Sequence, residues 1–203
     1  KMYAAQTVQK LYYLGPMFRY ERPQAGRYRQ FYQIGVEVLG SHQPAVDAEV
    51  MIMLMNFFQS LGLNDLNLRL NSLGCNKCRP QYREPLKNSI RRHLSDLCDN
   101  CNQRYERNPL RVMDCKIEKD KEIARGLPKT TDHLCSDCMI HFDEVRTLLD
   151  STKTPYNLDY LLVRGLDYYT HTTFEVTSNN LGAQNTLCGG GRYNMLVEEF
   201  TGP

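Results

Sequence analysis

Two segments rich in Tyr, Phe, Val and Ile, Lys10 to Tyr20 and Gln30 to Gly40, flank a polar stretch holding Pro23 and Gly26. That pattern predicts a long antiparallel hairpin. Along the second strand, alternation sends Tyr32, Ile34, Val36 and Val38 to one face and Phe31, Gln33, Gly35 and Glu37 to the other. The first set is predicted to be core. A helix is predicted from Pro44 through Leu61, with Asp47 and Glu49 in its first turns and apolar residues on nearly all faces. Such a helix belongs under a sheet, and Gly62 ends it. A short alternating strand (Leu66, Leu68, Leu70) then leads into a basic, cysteine-bearing, mostly helical region running to about Pro155. After Asn157 the pattern turns β-like again.

The predicted fold class is therefore α+β: an antiparallel β-sheet domain flanked by helices and interrupted by a mostly helical insert. Its divisions by texture are 1–64, 65–156 and 157–203. Both termini read as cut from a longer chain, since a sheet of so few strands would leave open edges.

Composition narrows the class. A hydrophobic fraction of 41% with 24% charged residues is that of a soluble globular protein. No run approaches the roughly 18 apolar residues of a membrane span, so no membrane partner is expected. The net charge of +2 means that any affinity for polyanions comes from local clustering. Eight cysteines include three CxxC pairs, Cys75/Cys78, Cys98/Cys101 and Cys135/Cys138. That spacing suits thiolate ligation better than disulfides and points to a reducing, cytoplasmic compartment.

The polar face of the second strand offers an aromatic platform (Phe31), an amide (Gln33), a gap (Gly35) and a carboxylate (Glu37). Glycine inside a strand often marks the close approach of a ligand. Four arginines at the hairpin tip, Arg19, Arg22, Arg27 and Arg29, add guanidinium forks suited to phosphates. Further on, alternation from Tyr169 puts His171, Thr173 and Glu175 on its face, with Tyr168, Thr170, Thr172 and Phe174 opposite. Cys188-Gly189-Gly190-Gly191-Arg192-Tyr193 strips side chains from a strand end. It does not match the phosphate-loop pattern GxxxxGK[ST].

FRYERPQAGRYRQFYQIGVEVLG resembles motif 2 of class II aminoacyl-tRNA synthetases in its histidyl-tRNA synthetase form. LVRGLDYYTHTTFEV and CGGGRYN are similar to that family's two histidine-specific signatures. The resemblance implies a ligase that joins histidine to ATP as histidyl-adenylate and transfers it to tRNA(His). It implies Arg19 and Arg164 as catalytic groups beside the α-phosphate, Glu21 and Phe31 at adenine, and Arg27 at the outer phosphates. Gln33 and Glu37 would bind the histidine carboxylate and ammonium. Tyr168, Tyr169 and Tyr193 would shape the pocket, with Gly189 and Gly190, continuing to Gly191, as its floor. The implied cofactor is ATP with Mg²⁺, and the partners are L-histidine, ATP and tRNA(His), in a homodimer at full length. Motif 1, motif 3 and the anticodon-binding domain are missing, so impaired activity is expected of this chain in isolation.

The insert has its own chemistry. Between Lys77 and Arg111 nine Lys/Arg stand against four Asp/Glu, and Arg83, Lys87 and Arg91 share one helical face. This stripe suits phosphate contacts that carry no sequence information, and the resemblance implies tRNA acceptor-stem contact there. Two of the three CxxC pairs would suffice for a structural Cys₄ zinc site, and the spacing does not choose which. The competing readings are buried free thiols, expected for Cys115 and Cys188, or redox-labile pairs.

Two other functions compete with the ligase. One is a histidine-binding regulatory paralogue without aminoacylation activity. The other is a zinc-dependent nucleic-acid module centred on the insert, which leaves the hairpin and the glycine run unexplained.

Overall fold

The computed structural model describes residues 8–20, 22–23, 27–164, 168–179 and 185–200, apart from the Glu199 side chain. Strands β1 (Gln9–Phe18) and β2 (Gln30–Leu39) form the hairpin, with Gly15 opposite Gln33 and Leu11 opposite Glu37. Among the described residues this hairpin pairs with no third strand. Helix α1 (Pro44–Ser60) follows, with Pro44 at its start and Asp47 in its first turn. Its N-cap, Gln43, makes no side-chain cap bond, an omission worth about 1 kcal/mol. Complete burial of Met51 and near-complete burial of Met55 contribute about 1.5–3 kcal/mol each, which outweighs it.

Strands β3 (Asn67–Ser72), β4 (Asn157–Leu158), β5 (Thr170–Thr177) and β6 (Thr186–Arg192) make a second sheet in the order β4-β3-β5-β6. The sheet is mixed, because the short β3–β4 pair is parallel while β3–β5 and β5–β6 are antiparallel. Between β3 and β4 lie α2 (Cys78–Arg91), α3 (Asp99–Arg107), a 3₁₀ turn (Pro109–Asp114), α4 (Glu118–Arg125), a second 3₁₀ turn (Thr130–His133) and α5 (Ser136–Ser151). A short helix, α6 (Leu196–Glu199), follows β6.

Among the described residues packing forms two cores. Leu68, Leu70, Phe174 and Val176 meet Ala48, Met51 and Met55 of α1 and Phe142, Val145 and Leu149 of α5. The other core gathers Tyr82, Leu86, Ile90, Cys101, Tyr105, Val112, Met113 and Leu127. Strand β3 and helix α5 therefore share a core with α1 and β5, although both lie inside the 65–156 stretch set apart by composition. Basic and cysteine-rich texture tracks surface and ligand chemistry, not which sheet a strand joins.

The face of β2 predicted as core is largely open. Tyr32 is 76% and Ile34 56% exposed, while Val36 and Val38 are half-buried nearer α1. Tyr12 and Leu14 on β1 share this open face. The alternation is as expected, but among the described residues no element packs over the outer half of the hairpin.

Candidate active site and cysteine clusters

The inner face of the hairpin carries a continuous row of polar and aromatic groups. The Arg19 guanidinium lies 3.7 Å from the centroid of the Phe31 ring. Its Nε is enclosed and has no hydrogen-bond partner among the described residues. Next along the row, Gln33 Nε2 donates to Tyr13 Oη at 2.9 Å. The Tyr13 ring lies over Gly35, so closely that a Cβ there would fall inside it. Glycine at 35 is thus explained by a tyrosine of the same hairpin. Glu37 then accepts a hydrogen bond from the Tyr193 hydroxyl, which ties the hairpin to the end of β6. Burial pushes the Glu37 carboxyl above its usual range.

Beyond Glu37 stands an aromatic group. Tyr168 and Tyr169 stack at 5.1 Å, and the Tyr193 ring meets both edge-on at 6.2 and 6.1 Å. Arg164 lies 5.3 Å from the Tyr169 ring centroid. The glycine run is what permits this. A Cβ on Gly189 would sit 2.6 Å from Arg164 Nη1, and one on Gly191 would sit 3.1 Å from the Tyr169 ring. Gly190 points the other way, where a Cβ would meet the buried Phe174 ring at 2.6 Å. The pocket face is therefore formed by Gly189 and Gly191, and Gly190 serves the core. Alternation along the strand, applied to three identical residues, gives this split.

His171 also departs from simple alternation. The β5–β6 register shifts between Thr170 and Thr173, and His171 adopts a left-handed φ of 49°. Its ring leaves the face of Thr173 and Glu175 and turns to α5, 4.8 Å from the His141 ring, with Nδ1 3.6 Å from Cys138 Sγ. Burial, with His141 and Arg192 nearby, pulls His171 down to about 4, so the imidazole is neutral at pH 7.

A further group holds the two halves in register. Asp47 on α1 accepts from Thr172 Oγ1 at 2.6 Å and His141 Nε2 at 2.8 Å, and pairs with Arg192. Arg192 also donates to the carbonyls of Ser41 and Gln43 at 2.8 and 3.0 Å. Burial opposes the Asp47 charge, but these donors outweigh it and hold its carboxyl below the usual range. In the sequence Asp47 read only as a first-turn acid of a helix. The one signal was an arginine directly after the glycine run.

A family model described as histidyl-tRNA synthetase matches residues 1–203. The chain belongs to the histidyl-tRNA synthetase family. It is 55% identical over its whole length to a histidine–tRNA ligase of Desulforamulus reducens, and 54% identical to one of Geobacter metallireducens. Those matches span 48% and 49% of the two relatives, so the chain covers about half their length. The apo histidyl-tRNA synthetase of S. aureus superposes with a TM-score of 0.73 at 42% identity, over 96% of this chain and 46% of that one. A Bacillus halodurans structure described as an ATP phosphoribosyltransferase regulatory subunit/histidyl-tRNA synthetase shares the fold at 24% identity and a TM-score of 0.62, over 96% of this chain and 54% of that one.

Arg19, Phe31, Gln33 and Glu37 line up along one face of the hairpin, and Arg164, Tyr168, Tyr169, Gly189 and Tyr193 gather at its inner end. Arg27 is half-buried near the hairpin tip, and Glu21 lies outside the described residues, as does the Gly165–Asp167 part of the RGLDYY run. One face of Phe31 is covered by Arg19, so any planar ligand stacking on this ring must use the other face or displace the guanidinium. On α2, Arg83, Lys87 and Arg91 flank the buried Tyr82, Leu86 and Ile90, each one residue on and about 100° round the helix. Tyr105 of α3 braces that stripe, with Lys87 Nζ 5.2 Å from its ring centroid and its hydroxyl 3.2 Å from Arg91 Nε. Arg79 of the same helix donates to the Tyr169 carbonyl, so the insert touches the pocket backbone. No helix among the described residues is long and apolar enough to cross a membrane.

Seven of the eight cysteines fall into two clusters among the described residues, and Cys188, half-buried and unbridged, joins neither. Cys75, Cys78, Cys135 and Cys138 bring their sulfurs within 4.8 Å of one another, and so do the ligand atoms of Cys98, Cys101, Cys115 and Asp120. Cys115 is the buried, unbridged thiol that was expected, but it lies within a cluster. In the first cluster the Cys75–Cys78 and Cys75–Cys135 sulfurs are 3.8 and 3.9 Å apart. Zn–S bonds of about 2.3 Å at tetrahedral angles separate neighbouring sulfurs by about 3.8 Å, so the thiols fit that ion. Burial opposes ionisation of Cys75, but backbone N–H groups of Cys78 and Lys77 outweigh it and bring its thiol to about 7.

Proposed function

We propose that this chain forms the amino-acid and nucleotide pocket of a histidine–tRNA ligase. The observation that carries the reading is the Glu37–Tyr193 contact, which joins the arginine-bearing hairpin to the tyrosine group as one continuous site. Glu37 holds the α-ammonium of histidine, and Gln33 holds the carboxylate. The imidazole enters among Tyr168, Tyr169 and Tyr193, above Gly189 and Gly191. Arg27 and Arg19 take the triphosphate, and Phe31 takes the adenine.

A carboxylate oxygen of histidine attacks the α-phosphorus of ATP. That P–O bond forms as the bond to pyrophosphate breaks, leaving histidyl-adenylate. No side chain needs to act as a covalent nucleophile. Arg19 and Arg164 neutralise charge on the pentavalent phosphorus, and alignment supplies most of the remainder. Mg²⁺ bound to the triphosphate would supply charge neutralisation for the leaving pyrophosphate. The tRNA 3′-terminal hydroxyl then attacks the adenylate carbonyl and releases AMP. Arg83, Lys87 and Arg91 meet tRNA phosphates from the insert, whose separate core spans 82–127. The working protein is a homodimer of longer chains.

We also propose a structural zinc ion at Cys75, Cys78, Cys135 and Cys138. It ties the end of β3 to the start of α5 and so closes the neck of the insert.

In the full-length protein carrying this chain, Arg164→Ala should slow histidine-dependent ATP–pyrophosphate exchange by at least 100-fold, about 2.7 kcal/mol of transition-state stabilisation. Histidine affinity should change only a few-fold. Equal exchange rates for variant and wild type would remove the assigned role. Histidine binding without any exchange in the wild type would instead select the regulatory paralogue.

A further inference from the structure

The second cysteine cluster lies wholly inside the insert and is built differently from the first. Cys98 precedes α3, Cys101 lies in its first turn, Cys115 follows the 3₁₀ turn, and Asp120 sits in the first turn of α4. Cys98 and Cys115 sulfurs are 3.9 Å apart, and Cys115 Sγ is 3.2 Å from Asp120 Oδ2. A tetrahedral zinc ion calls for about 3.8 Å between sulfurs and about 3.5 Å from sulfur to carboxylate oxygen. A disulfide needs about 2.05 Å. The spacing is that of ligands around an ion.

Asp120 supplies an independent argument. It is 1% exposed, and its partners are the Cys98 N–H at 3.2 and 3.3 Å and the cysteine thiols. No ion pair among the described residues includes it. The flanking lysines turn outward, Lys119 to Asp96 and Lys121 to Glu118. A carboxylate buried without a countercharge costs several kcal/mol, so buried charges are paired or coordinate a metal.

We propose that Cys98, Cys101, Cys115 and Asp120 bind a second zinc ion, independent of the site at the insert's neck. Three soft thiolates in tetrahedral array select zinc over magnesium or calcium. The thiols release their protons to solvent as the ion enters. The ion cross-links α3, the 3₁₀ turn and α4. Helices of nine and eight residues are too short to persist alone. It also fixes Tyr105, one turn beyond Cys101, and with it the brace beneath Lys87 and Arg91.

The test is the zinc content of the full-length protein, purified without chelator and measured by mass spectrometry against protein concentration. The expected difference is one equivalent per chain lost in Cys115→Ser and in Asp120→Ala relative to wild type. Asp120→Cys should retain the wild-type content. Cys78→Ser, at the neck, should leave the second equivalent in place, so failure of one site is distinguishable from failure of the other. Wild-type zinc content in Asp120→Ala and Cys115→Ser would overturn the proposal. Should both variants prove insoluble, one equivalent of zinc retained in Cys78→Ser supports it, and a Cys78→Ser protein without zinc overturns it.

Discussion

Replacing Asp47 with alanine removes the anion on which three other elements converge. Asp47 and Arg192 have side chains only 8% and 7% exposed, so the pair is almost dry. In Asp47→Ala the guanidinium keeps the Ser41 and Gln43 carbonyls but loses its countercharge, while Thr172 and His141 lose an acceptor. Breaking a buried pair from one side costs about 3–5 kcal/mol, because the remaining charge stays desolvated. For a chain of this size each kcal/mol shifts Tm by about 2–4 °C, so a fall of about 6–20 °C is expected. Thermal unfolding followed by circular dichroism at pH 7 measures it. The sign with pH follows from the lowered Asp47 value. This stability is present above the ordinary carboxylate pKa and is lost as pH falls through the depressed folded value. The variant should lack that acid-side loss. Adding Arg192→Met to Asp47→Ala should recover part of the deficit, since the stranded charge is gone. A single variant whose Tm stays within about 2 °C of wild type would refute the reasoning.

Glu37→Gln should weaken histidine binding at neutral pH while leaving folding stability equal or higher, because burial raises the folded pKa of this carboxyl. That contribution to stability is greatest below the unfolded pKa and is lost as pH rises through the folded one. Histidine affinity runs oppositely, falling as Glu37 gains a proton. Calorimetric titration of wild type and variant across pH 4–7 should therefore give curves that converge at the acid end. Gly189→Ala and Gly191→Ala separate chemistry from folding. At 189 the new methyl meets the movable end of Arg164, so adenylate formation should drop with little change in Tm. At 191 it meets the Thr172 carbonyl at 2.7 Å, and overpacking of backbone should cost about 1–3 kcal/mol; unchanged melting would argue against this packing. Replacing Arg83, Lys87 and Arg91 together by glutamine should reduce the slope of log affinity against log salt for tRNA by up to about 2–3. A slope equal to wild type would take the stripe out of the interface.

Much of the pocket was readable because strand alternation is local. Phe31, Gln33 and Glu37 share a face for steric reasons that no distant contact alters. The same rule failed at His171, where a bulge reversed the side chain, and it was not carried through for Gly190, which faces Phe174. The Cys₄ set was half legible, since CxxC spacing gives each pair but not its partner. Cys115 and Asp120 carry no local signal, because their chemistry depends on the turn that brings them to Cys98.

The sequence by itself determined the hairpin, the helix from Pro44, the basic stripe on α2 and the motifs that place the chain in its family. These are properties of neighbours along the chain, set by backbone sterics and side-chain periodicity. Only the tertiary structure decided that β3 and α5 belong with α1 and β5, that Asp47 and Arg192 lock those parts together, and that the cysteines form two clusters. Each of these joins residues far apart in sequence, through burial and charge pairing that exist only once the chain has folded back on itself.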